Sequence, residues 1–338
     1  MQALKELLFR LCSAPGTSGW EDAAAEVIRA ELSRFGRVEQ DCMGNITAHM
    51  GKAGAQRHVL LDAHMDQVGL VVTYIDENGF LKVAPAGGVD RRVLPGSPVT
   101  IYGEEKIQGI VCCLPPHLSD GGEEKVAAVD RMSVDAGLSK EEAERLIPLG
   151  SRIVVDGPPR ELLGTRVASA ALDDRAGVAA LIRCAELLAE EPIGCELTLL
   201  CSSREETGAE GAKTAAYSAK PTEAIIVDVS FATQPGVPRE KACPLGGGPM
   251  IGRAPLLSRL LSDRLVELAE EYQIPYRLEI MGGSTGTNTD EIAALRGGVP
   301  SAMASIPLRY MHTPAEIVDL EDIEHTAQLL AAYIRGVA

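Results

Sequence analysis

Apolar residues recur along this chain in two rhythms. Near the N-terminus, Leu4, Leu7, Leu8 and Leu11 follow the three-to-four spacing of one helix face. After the Pro15-Gly16 break, Ala24, Val27, Ile28 and Leu32 set out a second helix. Ser18 is its candidate N-cap, with Glu21 three residues on as the capping-box partner. Val59-Leu60-Leu61 is a short apolar run typical of a buried strand. Residues 70–163 change character. Short β-rich runs at 70–75, 80–83, 99–102, 106–112 and 152–155 are separated by Gly, Pro and Asn. One clear helix, 140–146, interrupts them, with Ser139 as its N-cap. From 172 onward helices and strands alternate. Helices are expected at 174–190, 209–218, 256–272, 290–295 and 320–335, and strands at 196–201, 224–229, 277–280 and 302–306.

That alternation predicts an α/β fold, a sheet with helices on both faces. The simplest organisation joins the two chain ends, 1–69 and 164–338, into one α/β domain. Residues 70–163 then form an inserted small β-barrel or sandwich. Gly246-Gly247-Gly248 and Gly282-Gly283 lack the spacing of a nucleotide loop and read as turns or as backbone close to a substrate.

Composition narrows the function. The 338 residues carry a net charge of −16. There is no Lys/Arg-rich run, so nucleic acid and anionic membrane surfaces are excluded as partners. No apolar run is long enough for a membrane span. The eight cysteines form no C-x-x-C pair, and most sit in apolar surroundings, as small hydrophobes do. A cytoplasmic protein is expected.

Candidate chemistry gathers at strand ends. In Asp62-Ala63-His64-Met65-Asp66, His64 and Asp66 are two apart and face one way on a strand. His64 is a candidate metal ligand, with Asp66 on its other ring nitrogen; by themselves they read more readily as a core histidine beside a turn aspartate. Asp173-Asp174-Arg175 stands at a helix start. One acid there could bridge two cations while the other caps the helix or pairs with Arg175. Glu205-Glu206 follows the apolar strand 197–201. One carboxylate could bind metal while the other accepts a proton from water. Asp228 interrupts the apolar Ile225-Ile226-Val227, which is costly unless paired or metal-bound. His312 lies in Arg309-Tyr310-Met311-His312-Thr313-Pro314. Together these residues point to a binuclear metal hydrolase.

The sequence resembles metallopeptidase family forty-two, the glutamyl and tetrahedral aminopeptidases, which include cellulase M-like proteins. The likeness runs through His64-Met65-Asp66-Gln67-Val68-Gly69, Val93-Leu94-Pro95-Gly96, Pro115-Pro116-His117, Asp135-Ala136-Gly137 and Ser139-Lys140-Glu141-Glu142. It continues through Leu172-Asp173-Asp174-Arg175, Glu205-Glu206-Thr207-Gly208 and the His312 segment. The resemblance implies a zinc-exopeptidase-like catalytic domain, with a mixed sheet sandwiched by helices. Its insert, here 70–163, would be a PDZ-like dimerisation domain. It further implies that Asp173 bridges two divalent metal ions, zinc or cobalt first and manganese next. His64 and Asp228 would complete one site, and Glu206 and His312 the other. Glu205 would be the general base, and Asp66 would support His64. The implied substrates are peptides with a free N-terminus, the implied assembly dimers building a tetrahedral dodecamer. Asp290 is a candidate for the substrate α-amine. The alternatives are another binuclear amidohydrolase, such as a deacetylase or carboxypeptidase, or a glycoside hydrolase. The chain departs from the family pattern at Asp90-Arg91-Arg92, where a Trp-Asp start is expected, at Cys112-Cys113 and at Asn288-Thr289-Asp290.

Overall fold

A computed structural model of the chain describes residues 1–113 and 126–337. The Pro115-Pro116-His117 stretch lies outside the described residues. The chain opens with helices α1 (Gln2–Ser13) and α2 (Asp22–Leu32), then strands β1 (Arg37–Gln40), β2 (Ile46–Gly51) and β3 (His58–His64). Next come β4 (Gly69–Ile75), β5 (Leu81–Ala86), β6 (Pro98–Tyr102), β7 (Lys106–Val111), β8 (Ser133–Asp135), α3 (Lys140–Leu146) and β9 (Arg152–Val155). After β10 (Arg160–Glu161) and β11 (Arg166–Ser169) come α4 (Leu172–Leu188), β12 (Glu196–Ser202), α5 (Glu205–Gly208), α6 (Glu210–Ala219) and β13 (Glu223–Phe231). The chain ends with β14 (Met250–Arg253), α7 (Arg259–Glu271), β15 (Arg277–Ile280), α8 (Thr289–Ala293), β16 (Ser301–Leu308), β17 (Glu316–Asp319) and α9 (Leu320–Arg335).

The main sheet has eight strands in the order β1-β2-β12-β3-β13-β16-β14-β15. Its centre, β12-β3-β13-β16, is parallel. β2 and β14 flank that centre antiparallel, so the sheet is mixed. The central strands are apolar along most of their length because helices cover both faces. Side chains alternate between the two. Val59, Leu61, Leu197, Leu199, Ile225 and Val227 join one core with residues of α1, α4 and α9. Leu60, Leu200, Ala224 and Ile226 join a second with α6 and α8. The strands β4-β5-β8-β7-β6-β9 close into a barrel with its own core, including Leu70, Val99 and Ile153. No described helix is long and apolar enough to cross a membrane.

Two helix starts show what local pattern can decide. At α3 the expected capping box is present, with Ser139 accepting from the Glu142 amide and the Glu142 side chain returning to Ser139. At α2 it is not. That helix starts at Asp22, and Glu21 at its N-cap makes no side-chain cap bond. The Ser18 hydroxyl instead donates to the Asp66 carboxylate at 2.6 Å. The Glu21 carboxylate accepts from the Gly19 amide at 2.7 Å. A buried carboxylate from another segment offers Ser18 a stronger, charge-assisted partner than the cap does. The short strands β1, β2, β8, β10, β11, β14 and β17 are additional to the expected set; each is too short or too polar to announce itself by period.

Arg175 is fully buried and straps the elements together. It does not pair with Asp174. Its Nε donates to the Met65 carbonyl at 2.6 Å and its Nη1 to the Ala14 carbonyl at 3.0 Å and the Leu11 carbonyl. This ties the end of α1 and the turn after β3 to α4. Arg175→Met would leave the buried Met65 and Ala14 carbonyls without their donor, at about 1–3 kcal/mol each, while the Leu11 carbonyl keeps the Ala14 amide. The expected result is a loss of about 2 kcal/mol or more. Urea denaturation measures it, and an unchanged midpoint would refute the strap.

Candidate active site and metal centre

Open α/β sheets bind ligands beyond the carboxyl ends of their parallel strands. That is where the acids and histidines meet. His64 ends β3, Asp228 lies in the second half of β13, Glu205 and Glu206 follow β12 in α5, and His312 follows β16. Asp173 enters from the start of α4, where it and Asp174 depart from helical geometry and are joined by a cis peptide.

The geometry centres on Asp173. One of its oxygens lies 3.1 Å from His64 Nε2, and the other lies 3.4 Å from His312 Nε2. Asp228 is 3.9 Å from His64 Nε2, and Glu206 is 3.5 Å from His312 Nε2. Two donor groups result, His64-Asp173-Asp228 and Asp173-Glu206-His312, each with its ligand atoms within 4.8 Å of one another. Asp173 belongs to both. One imidazole and two carboxylates per group is a donor set suited to borderline divalent cations. All five ligand candidates read from the sequence are thus brought together.

The surroundings orient these donors. His312 Nδ1 lies 2.9 Å from the Gly88 carbonyl, which fixes the proton there and leaves Nε2 free. His64 Nδ1 lies 3.3 Å from Asp66. Asp66 also accepts from the Glu205 amide at 3.0 Å and the Glu206 amide at 3.2 Å. It therefore positions the acid pair as well as His64. The two acids at 173 and 174 divide the work. Asp174 accepts from the Gly177 amide at 3.0 Å, at the first turn of the regular helix.

Backbone strain sits at the same places. Ala171, Arg204, Tyr310 and His312 all have left-handed φ, at 59°, 60°, 61° and 62°. Such conformations cost non-glycine residues about 1–3 kcal/mol each and persist where the surroundings enforce them. Here each is a site residue or lies within two positions of one.

The charge state follows from burial and crowding. Burial opposes ionisation of Asp173, but contacts with His312 and His64 outweigh it and hold the carboxyl well below its usual range. Asp228, buried and facing Glu205 and Asp173, is pushed well above it. Burial and the neighbouring Asp173 raise Glu206 to about 8. Glu205 rises to about 7, chiefly through burial and against the pull of His64. Burial disfavours the charged form of His312, yet Asp173 and Glu206 carry it up to about 10. So many acids at one point bind protons unless a cation replaces them. Metal occupancy should accordingly fall as pH falls.

Glu316 was missed in the sequence. It is buried on β17, and its two oxygens accept from the Asp173 amide at 3.2 Å and the His312 amide at 2.8 Å. One carboxylate thereby sets the backbone of residues in both donor groups. The available signal was an acid opening the otherwise apolar Glu316-Ile317-Val318. Glu316→Gln turns one acceptor into a donor facing an amide. Metal affinity is expected to fall about 10–100-fold, the usual effect of losing an outer partner. Metal titration of the purified variant checks this. Asp290 behaves differently from its candidacy. Its carboxylate accepts from the Thr285 and Gly286 amides, at 2.8 Å and 3.0 Å, and so serves its own loop.

His64, Asp173, Glu205, Glu206, Asp228 and His312 all line one open cavity of about 1230 Å³. Its volume has room for a peptide end rather than a single water or ion. Fold and site together define the class, an α/β metallohydrolase. Comparison with known proteins makes it narrower. The M42 glutamyl aminopeptidase family model matches residues 44–329. The lysyl aminopeptidase of Pyrococcus furiosus is 34% identical over 339 residues, covering 97% of this chain and 96% of that protein. The solved aminopeptidase of the archaeon Desulfurococcus kamchatkensis is 33% identical, with a TM-score of 0.93 over 100% of this chain and 96% of that one. The Pyrococcus horikoshii TET1 peptidase is 29% identical, with a TM-score of 0.88 over 99% and 100% of the two chains. The chain belongs to the M42 family of metal-dependent aminopeptidases.

Proposed function

We propose that this chain removes N-terminal residues from peptides using two divalent cations. His64, Asp173 and Asp228 would hold one, and Asp173, Glu206 and His312 the other. The observation that supports this reading is the placement of the two Asp173 oxygens, one toward each histidine. Zinc, cobalt and manganese all suit imidazole with carboxylate, zinc and cobalt best. When bound, the cations would supply Lewis acidity, polarising the scissile carbonyl and making water acidic enough to lose a proton near neutral pH.

Glu205 would take that proton and return it to the leaving amine. It lines the cavity beside the donor groups, and its elevated pKa suits it to both halves of the transfer. Asp66 would hold Glu205 in place through its backbone amide. A base must be ionised to act, so kcat/KM should be high above its pKa and lost as pH falls through it. Bound cations would lower the value of about 7 that burial sets. The acidic limb of a pH–rate profile is therefore expected at or below about 7 and should vanish in Glu205→Gln.

The division of the chain is part of the same reading. Residues 1–69 and 164–338 would be the catalytic unit, and 70–163 the dimerisation unit. The separate barrel core supports it. The Pyrococcus horikoshii relative is described as assembling into a tetrahedron or a large octahedral shell. Dimers building a dodecamer are the corresponding proposal here, tested by light scattering of the purified chain. The function itself is tested with matched free and N-acetylated peptides on metal-reconstituted protein. Release of the first residue from free peptides alone supports it; cleavage of blocked peptides would favour a deacetylase or another amidohydrolase.

A further inference from the structure

Glu279 is a carboxylate that none of the steps above uses. It lies on β15, the outermost strand of the main sheet, yet its side chain reaches inward over β14. Ser230 Oγ on β13 donates to one carboxylate oxygen, and Ser305 Oγ on β16 donates to the other at 2.7 Å. Both serines are buried. Burial pushes the Glu279 carboxyl up, and the two hydroxyls oppose it; no cationic group among the described residues contributes. Two hydroxyl donors leave a carboxylate with acceptor capacity to spare. A desolvated acid without a countercharge is costly, and a cation arriving from solution would relieve it.

Glu279 lines the same cavity as His64, Asp173 and Glu205. Met250, Met281, Met303 and Met311 line it too. Thioether side chains are apolar and adaptable, and they suit an aliphatic stem. A stem with a cationic head, received by a methionine wall with one carboxylate, is the shape of a basic amino-acid side chain.

Distance separates this reading from capture of the α-amine. Asp228 and Ser230 are two residues apart on β13, so they share a face and lie about 6.7 Å apart along it. The Glu279 carboxylate is one hydrogen bond further on. A substrate whose scissile carbonyl sits at the Asp173–Asp228 donors has its α-amine only one carbon from that carbonyl. That amine falls short of Glu279. A side-chain ammonium four methylenes from the α-carbon does not. Arg239, Lys241 and Arg277 also line the cavity and would favour an acidic side chain, but all three are exposed. Exposed charges are weakened by water and salt more than the partly buried Glu279 carboxylate is.

We infer that the pocket for the first substrate residue takes a basic side chain and that Glu279 is its specificity-determining residue. The inference rests on the aminopeptidase reading above. The test uses zinc- or cobalt-reconstituted full-length protein with aminomethylcoumarin amides of lysine, arginine, norleucine, leucine and glutamate. Norleucine is the lysine stem without its ammonium. The expected lysine-to-norleucine ratio of kcat/KM is about tenfold or more, as for a site left with an unpaired buried polar group. In Glu279→Gln, which keeps the size of the side chain, that ratio should fall about tenfold, mainly through KM. Glu279→Lys should turn the preference toward glutamate. Thermal unfolding of each variant shows whether it is folded, and isothermal titration with free lysine and norleucine gives a second readout independent of turnover. A native ratio near one, a glutamyl substrate cleaved fastest, or lysine and norleucine slowed equally in the variant would each overturn the inference. Cleavage of leucine without preference for lysine sinks this inference alone. Failure to cleave any free-amine substrate sinks the aminopeptidase reading and this inference with it.

Discussion

Glu205→Gln is expected to lower kcat by about 10²–10⁴-fold, the usual contribution of a positioned general base. Metal content should stay near that of the native chain, because neither donor group includes Glu205. The substitution keeps the shape of the side chain. It also keeps the backbone amide that donates to Asp66 at 3.0 Å. What is lost is the ability to accept and return a proton. A fall in kcat with KM nearly unchanged would mark an interaction made in the transition state. Steady-state kinetics beside elemental analysis of the same preparation reads both quantities. Near-native turnover with full metal content would remove Glu205 from the mechanism.

Asp173→Asn tests the other half of the site. Asparagine offers one carbonyl oxygen where aspartate offers two ionised ones, so it cannot serve both donor groups alike. Its amide nitrogen would also face one of the histidines that now lie 3.1 Å and 3.4 Å from Asp173. Affinity for both cations should fall by more than the ~10–100-fold that outer partners contribute. Activity should be lost at ordinary metal concentrations. By contrast, Asp228→Asn and Glu206→Gln should each weaken a single cation. Stepwise titration with zinc or cobalt separates these outcomes. If Asp173→Asn bound two ions as tightly as the native chain, a shared ligand at this position would be ruled out.

Much of this site was legible in the sequence because its residues break local rules. Asp228 stands in an apolar strand, and Glu205 and Glu206 repel each other at the end of another. Such costs imply a compensating group. Glu316 and Glu279 broke no rule strongly. Each is one acid in a short strand at the edge of its own sheet, and what makes each notable is a partner from a different element. Ser18 was misread for the matching reason: its spacing to Glu21 imitates a cap, while its actual partner, Asp66, is distant in sequence.

The sequence by itself determined the type and order of most elements, the existence of a barrel-like insert, and a set of acids and histidines at strand ends. These follow from periodicity and local cost, which a linear pattern records. Only the tertiary structure decided that one carboxylate, Asp173, stands between His64 and His312, and that Glu279 crosses β14 to meet Ser230 and Ser305. Those distances depend on the strand order β12-β3-β13-β16-β14-β15, which brings together residues more than a hundred positions apart. No local pattern encodes that order, because it is fixed by which apolar faces pack together once the chain has closed on itself.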